Sequence, residues 1–549
     1  MRYRLLCGLL AVSSLWAQEG GAAKFDANSQ QMQGMEQYIH EAWDTLSRSQ
    51  TDCKSLADPK LTTKPVLYVP ADGEIPASVQ ALEAQCGISV QRLPKVIAHI
   101  HDIDPHDLQQ QGLLYLPNKY VVPGGRFNEM YGWDSYFIIR GLVRDGRLDL
   151  ARGMIENFFY EIEHYGGVLN ANRTYYFTRS QPPFLTSMVM SYYEAKPDKE
   201  WLRRAYGFAQ RDYALWTHDP HLAGDTGLAR YFDFGEGPVP EMGDDPTYYS
   251  QVSSYLLLHP YADGAYTTME AGNAVGPTFT YQVCGATRSE MNADKCAEAQ
   301  KFRLTQDYYK GDRAMRESGF DISFRFGPFS GSTHHYAPVC LNSLLFKAES
   351  DMAQMATALG NTSEAQQWKA RAADRKQKMN RYFWNAQKGM FFDYDFMQKK
   401  QSSYDYATTF YPLWTGWASA EQAKAVAANL SKFEKPGGIA MSDQITGVQW
   451  DLPYGWAPLQ LITVEGLRKY GARADADRVS QEFVSTVLEN FGRDKTIREK
   501  YNVVTRTTDA QVAVGYKSNV VGFGWTNGVT LELLHGMNAG AKAATASGN

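Results

Sequence analysis

LFKAESDMAQMATALGNTSEAQQWKARAADRKQKMNRY, residues 345–382, decides the fold class. Leu345, Ala348, Met352, Met355 and Leu359 recur at intervals of three and four, which is one apolar stripe on a helix of 3.6 residues per turn. Gly360-Asn361 supplies the stop, because glycine accepts the left-handed backbone that closes a helix. Ser363 with Gln366 then offers a capping box, and Ala365, Trp368, Ala372, Met379 and Tyr382 make a second stripe. The unit predicted is two helices joined by a tight turn.

The same period recurs outward from this hairpin. Ile155, Phe158, Phe159 and Ile162 form one further stripe, and Val479, Phe483, Val487 and Phe491 another. Between the helical stretches lie segments rich in Gly, Pro, Trp, Tyr and Asp, namely 118–136, 163–184, 232–251, 317–330, 441–459 and 499–529. No continuous apolar β-run rivals the helices. The expectation is an all-α toroid, helical pairs closed into a ring with irregular loops gathered at one end. A superhelical solenoid is the alternative, although the fixed-period self-similarity of solenoids is missing. Residues 252–310 break the helical pattern and are read as an excursion inserted over the mouth of the ring.

Composition narrows the function. Among 549 residues, 55 Lys+Arg face 60 Asp+Glu with no basic block, which excludes the clustered cations that nucleic-acid binding requires. The apolar run Leu5 to Ala17 falls short of the roughly 20 residues that span a bilayer. It follows Arg2 and Arg4 and ends in small residues, the layout of a signal peptide over 1–17, so a periplasmic or secreted protein is expected, with no membrane contact after cleavage. Residues 18–35 are expected to be a mobile leader, 36–540 one domain, and 541–549 a tail. Loss of Cys7 with the signal leaves Cys53, Cys86, Cys284, Cys296 and Cys340. That odd number requires a lone thiol. Cys53–Cys86 and Cys284–Cys296 are candidate disulfides, with free thiols as the alternative.

The polar aromatic loops suit a sugar. PGGRFNEMYGWDSY (123–136) crowds Arg126, Trp133 and Asp134 behind two glycines. NANR (170–173) and RSQPP (179–183) form a second cluster, QWDLPYGWAP (449–458) a third, and GFGWTNG (522–528) a fourth. Aromatic faces cover the C–H side of a pyranose, while carboxylates, amides and guanidiniums bond its hydroxyls. Any one such loop is explained as a braced turn; four together point to a site. Glycoside cleavage needs two carboxyl groups, one protonated and one ionised. Asp321, among Phe320, Phe324 and Phe326, is a candidate acid, because desolvation raises a carboxyl pKa. Glu499, between Arg498 and Lys500, is a candidate base. Local context alone leaves each open to the reading of an ordinary bonded or solvated carboxylate.

These motifs resemble the trehalases of glycoside hydrolase family 37 across most of residues 115–535. PGGRFNEMYGWDSY satisfies every fixed position of that family's first signature and QWDLPYGWAP every position of its second, while ESGFDISFR, REKYN and GFGWTNGV follow in the expected order. The resemblance implies an (α/α)6 barrel that hydrolyses α,α-trehalose to two glucose molecules with inversion. It implies Asp321 as general acid and Glu499 as general base. It also implies Arg126, Trp133, Asp134, Asn170, Arg179, Ser180, Gln181, Glu241 and Gly319 as sugar-binding positions, with Arg325 a further cation that could bind hydroxyls or brace a loop. A monomer acting on a small disaccharide, without metal or organic cofactor, is what the resemblance implies. Other disaccharides as substrate, or a silent sugar-binding relative, are the rival readings.

Two departures from the family pattern stand out. Val239-Pro240-Glu241 replaces the usual Arg-Pro-Glu, and Val512-Ala513-Val514-Gly515-Tyr516-Lys517 replaces a glycine-rich acidic run. Both changes remove polar partners of the bound sugar, for which segment 252–310 is the expected substitute.

Overall fold

The hairpin over 345–382 forms as read, with one change at its turn. In the computed structural model, which describes residues 29–57, 63–242, 246–259, 266–268, 276–284, 296–513 and 518–546, the first helix ends with Gly360 at φ +86°. The amide of Asn361 donates to the carbonyl of Ala356 at 2.8 Å and that of Gly360 to Thr357 at 3.1 Å, a Schellman closure. The expected capping box is not made: the second helix starts at Thr362, so Ser363 already lies inside its first turn, and no side chain caps it. A capping box occurs instead at Ser419 and Gln422.

The helices that matter are α1 (Gln30–Thr45), α2 (Gly132–Arg144), α3 (Leu148–His164), α4 (Leu185–Ala195), α5 (Lys199–Trp216), α6 (Pro246–Leu258), α7 (Gln306–Glu317), α8 (Val339–Ala358), α9 (Thr362–Phe383), α10 (Tyr411–Thr415), α11 (Ala420–Ala428), α12 (Ala457–Lys469), α13 (Arg473–Asp494) and α14 (Gly524–Ala546). Helices α2, α4, α8, α10, α12 and α14 each pack on the next, and α14 packs back on α2, so six helices close an inner ring. Outside it, α3 lies against α2 and α4, α5 against α4 and α8, α9 against α8, and α13 against α12 and α14. Helix α11 adds Ala423 and Val426 to the common core, and α1 packs on α13 and α14, pairing the first helix with the last. The expected toroid is the fold. Its apolar stripes face one continuous core: Ile155, Phe158, Phe159, Ile162, Met352, Met355, Val479, Phe483 and Val487 are buried there.

Three departures from the sequence reading have physical causes. Residues 1–28, including the expected signal peptide, lie outside the described residues, but the expected mobile leader already gives way at Ser29, whose side chain caps α1. Met32, Met35, Ile39 and Trp43 repeat at helical spacing and are fully buried, a stripe hidden among glutamines. Second, residues 63–114 hold a small parallel sheet: β1 (Val66–Val69) runs between β2 (Ser89–Arg92) and β3 (Leu113–Leu114). The Cys53–Cys86 disulfide fastens this lobe, and Cys340 is a buried free thiol; the side chains of Cys284 and Cys296 lie outside the described residues. Third, the excursion at 252–310 begins inside α6 and ends inside α7, with β4 (Phe279–Cys284) and β5 (Cys296–Leu304) paired antiparallel between them. A separate apolar cluster, including Tyr248, Val252, Leu304, Tyr308 and Met315, ties α6 and α7 to Ile322 beside the candidate acid. At the other end, α14 runs to Ala546 and so takes in much of the expected tail. Among the described residues no helix is long and apolar enough to cross a membrane.

Candidate active site

Apart from α6 and α7, inner and outer helices alternate along the chain, and the site lies in the segments beside the inner ones. Those segments carry the motifs. The first motif runs into α2 and the second precedes α4. The acid motif follows α7, while the third and fourth lead into α12 and α14. An aromatic floor joins them. The Trp133 ring lies 5.5 Å from Phe320, 5.8 Å from Trp450 and 5.5 Å from Trp525, and Trp450 stacks on Trp456 at 4.0 Å. Trp133, Trp450, Trp456 and Trp525 are all buried. Trp525 meets Trp133, Trp450 and Trp456 edge-on.

Backbone bonds dock the second motif on the first. The opening amides of a helix have no partner within it; here Gly132 N donates to the Asn170 carbonyl at 3.1 Å and Trp133 N to Gln181 Oε1 at 2.9 Å. Asn170 Nδ2 donates to the Ser180 carbonyl at 3.3 Å, and the Ser180 hydroxyl to Val168 at 2.6 Å. Asn170, Ser180 and Gln181 therefore build the frame. Gly319 has φ +75°, and a Cβ there would stand 2.8 Å from the Trp133 indole, so glycine lets the acid loop lie on the floor.

The candidate acid and base sit in unlike surroundings. Burial pushes the Asp321 carboxyl up to about 7, against the opposing charges of Arg316 and Arg179. Gln449 Nε2 holds the Asp321 carbonyl at 2.5 Å, and Trp450 N donates to Ile322 at 3.0 Å, which seats the third motif on the acid loop. Glu499 Oε2 accepts from Lys500 Nζ at 2.9 Å. The Lys500 ammonium is fully buried, lies 5.0 Å from the Trp456 ring and also donates to Ser518 at 3.1 Å. Strands β6 (Tyr454–Trp456) and β7 (Lys500–Asn502) pair Trp456 with Lys500, and so fix the base segment to the third motif. Asp134 links the two carboxyls: burial, then the negative charges of Glu499 and Asp321, raise its carboxyl well above the usual range.

The remaining expected residues divide. Arg179 pairs with Glu241 and lies 3.5 Å from Asp233, its guanidinium over the Tyr176 ring at 4.8 Å. Burial works against its charge, but Glu241 and Asp233 outweigh that and hold it cationic. Arg126 is exposed, stacks on Phe127 and reaches Ser518 Oγ at 3.4 Å, beside the carbonyl that Lys500 holds. Arg325 is a brace and not a ligand for hydroxyls: it is fully buried and grips Asp393 through Nε at 2.8 Å and a terminal nitrogen at 2.6 Å. Arg498 pairs with Asp494 at 3.2 Å, so Glu499 has Lys500 and not two flanking cations. Residues 514–517 of the altered loop lie outside the described residues.

Sequence reasoning missed the α7 end. Arg316 pairs with Asp312, whose carboxylate also accepts from Tyr248 and Tyr249 at 2.8 and 2.9 Å. Buried Glu317 accepts from Ser180 N, Phe232 N and His221 Nε2. The i,i+4 spacing of Asp312 and Arg316 was the available signal. Arg313 from this helix donates to the carbonyls of Glu236, Gly237 and Pro238 and shapes the loop that leads into Val239.

A toroid of helical hairpins whose loop end carries Asp321 and Glu499 in unlike surroundings, with Arg179 held ionised near the acid, is an arrangement suited to a glycoside hydrolase. The trehalase family model matches residues 18–538, and this chain belongs to that family. The cytosolic neutral trehalase of Beauveria bassiana is 34% identical over 90% of this chain and 72% of its own length. The periplasmic trehalase of Xanthomonas campestris pv. campestris is 36% identical over 80% and 71%. The structure is similar to neutral trehalase Nth1 from Saccharomyces cerevisiae, with a TM-score of 0.73 at 32% identity over 93% of this chain and 95% of that one. These relatives correct the expectation of a periplasmic or secreted location. A cytosolic enzyme matches a larger share of the chain than the periplasmic one does, so membership of the family does not carry export with it.

Proposed function

We propose that the protein hydrolyses α,α-trehalose to two glucose molecules by a single inverting displacement, with Asp321 as general acid and Glu499 as general base. The contrast between the two carboxyls carries the reading. One is pushed up to about 7 by burial and so keeps its proton near neutrality. The other accepts a hydrogen bond from the Lys500 ammonium at 2.9 Å, a buried cation facing the proposed base. Asp321 protonates the glycosidic oxygen while Glu499 takes a proton from water attacking the opposite face, for which inverting enzymes leave about 6.5–9.5 Å between the carboxyls.

Arg179 with Glu241, and Arg126 at the rim, bind sugar hydroxyls. Asp134, whose carboxyl burial raises, bonds a sugar hydroxyl between the acid and the base. Asn170, Ser180, Gln181, Trp133 and Gly319 hold the pocket's shape.

Incubation with trehalose, followed by NMR of the released anomers, tests the reaction. Equal initial amounts of α- and β-glucose are expected, because one half leaves with its configuration retained and the other is inverted; release of α-glucose alone refutes inversion. Maltose and kojibiose in the same assay measure the substrate range. Asp321→Asn and Glu499→Gln are each expected to lower kcat by at least a thousandfold with an unchanged circular dichroism spectrum, and near-normal turnover in either removes that residue from the mechanism.

A further inference from the structure

Away from the two carboxyls, three side chains converge with metal-ligand chemistry. Asp307 opens α7, and His334 and His335 end the turn Thr333–His335 just before α8. His334 Nε2 lies 3.0 Å and His335 Nε2 3.3 Å from the same oxygen, Asp307 Oδ1. All three ligand atoms fall within 4.8 Å of one another. A tetrahedral zinc ion with nitrogen and oxygen ligands at about 2.0–2.2 Å holds those atoms about 3.3–3.5 Å apart. The two measured edges are close to that size, so an ion seats here with small side-chain movements.

The surroundings fit as well. The side chains are 7% (His334), 25% (His335) and 44% (Asp307) exposed, a buried floor with an open side through which a hydrated ion enters. A neutral imidazole has one N–H and one lone pair. His334 Nε2 presents its N–H to the Asp307 carboxylate; a bound ion takes the place of that proton, and Nδ1, buried without a hydrogen-bond partner among the described residues, is free to carry it instead. Arg230, the cation whose charge bears on His334, donates to the carbonyls of Pro220 and of His334 itself.

We propose that Asp307, His334 and His335 bind one divalent cation of the zinc class, with water completing its coordination, at a site separate from Asp321 and Glu499. Two imidazole nitrogens and one carboxylate oxygen are donors suited to such an ion. The ion fastens the start of α7 to the turn before α8. Arg316 and Glu317 lie at the other end of α7, so occupancy stiffens the segment that leads into Asp321.

Calorimetric titration of Zn2+ into the tag-free full chain is expected to show one equivalent bound at micromolar or lower Kd, with a rise in Tm. Asp307→Asn and His335→Gln are each expected to weaken binding more than tenfold and to abolish the Zn2+-dependent rise, while their Tm without Zn2+ stays near that of the parent. His335 is part-exposed at the end of a turn, so His335→Gln carries the test should Asp307→Asn fold poorly. Absence of binding to the parent protein, or undiminished binding in both variants, overturns the proposal.

Discussion

Lys500 is the charged partner of Glu499, the proposed base. Its ammonium is fully buried, 5.0 Å from the Trp456 ring, and its polar contacts are Glu499 and the Ser518 carbonyl, so removing it takes away the cation paired with Glu499. Lys500→Met is therefore expected to lower kcat at least tenfold with an unchanged circular dichroism spectrum; turnover within twofold of the parent would separate this ion pair from the chemistry. Part of this was legible in the sequence, where Glu499 stands between two cations and Asp321 among phenylalanines. Which cation serves Glu499 was not legible, because the chain turns at Lys495, just past its helix, and brings Arg498 back onto Asp494. Arg179 posed a harder problem. Its partners Asp233 and Glu241 come from a segment more than fifty residues away, and no local spacing announces a contact made by tertiary packing.

At the scale of elements, the helices were read from their stripes, and the failures fall where the stripe is thin or the cap ambiguous. α1 was missed because glutamines surround its methionines, and the β1–β3 sheet because Val66-Leu67-Tyr68-Val69 is too short to outweigh the neighbouring polar sequence. What holds the acid loop against the ring is a buried element-to-element pair that periodicity cannot reveal. Arg325, four residues after Asp321, is clamped by Asp393, and the same carboxylate accepts from Val339 N at 2.8 Å, at the start of α8. The Arg325 guanidinium also lies over the Phe320, Phe326 and Tyr406 rings, so it has no route to water. Removing one partner of a buried pair costs about 3–5 kcal/mol, because the other charge is left uncompensated. Asp393→Ala is expected to lower unfolding stability in urea by that amount and to lower turnover with it. A loss below about 1 kcal/mol would mean that the loop is held by its aromatic contacts instead.

For the whole molecule, the buried carboxyls set a direction for stability against pH. Burial pushes Asp212, Asp321 and Glu482 up to about 7 and Asp451 up to about 6, and it lifts Asp134 and Glu161 well above the carboxylate range. In the unfolded chain these groups lose their protons near pH 4. Between about pH 4.5 and 7 the folded state therefore binds more protons than the unfolded state, and stability falls as pH rises, by about 1.4 kcal/mol per pH unit for each group that stays protonated. Two histidines act in the opposite direction: burial lowers the pKa of His101 and His334, so each destabilises the fold as pH drops below about 6.5. Asp233 and Glu465 are also buried, yet Arg313 with Arg179, and Arg140, hold them below the usual range, so their contribution is constant through this window and is lost only in stronger acid. Those six carboxyls, with Glu36 raised by burial as well, against two imidazoles give the net sign, and Tm is expected to fall steadily from about pH 5.5 to 7.5. Burial is the one cause that raises Asp212, so Asp212→Asn should remove a single step and flatten the slope. Thermal unfolding across that window in buffers of matched ionic strength measures both effects, and a parent Tm that stays level or climbs would show that water reaches these carboxyls in the folded protein.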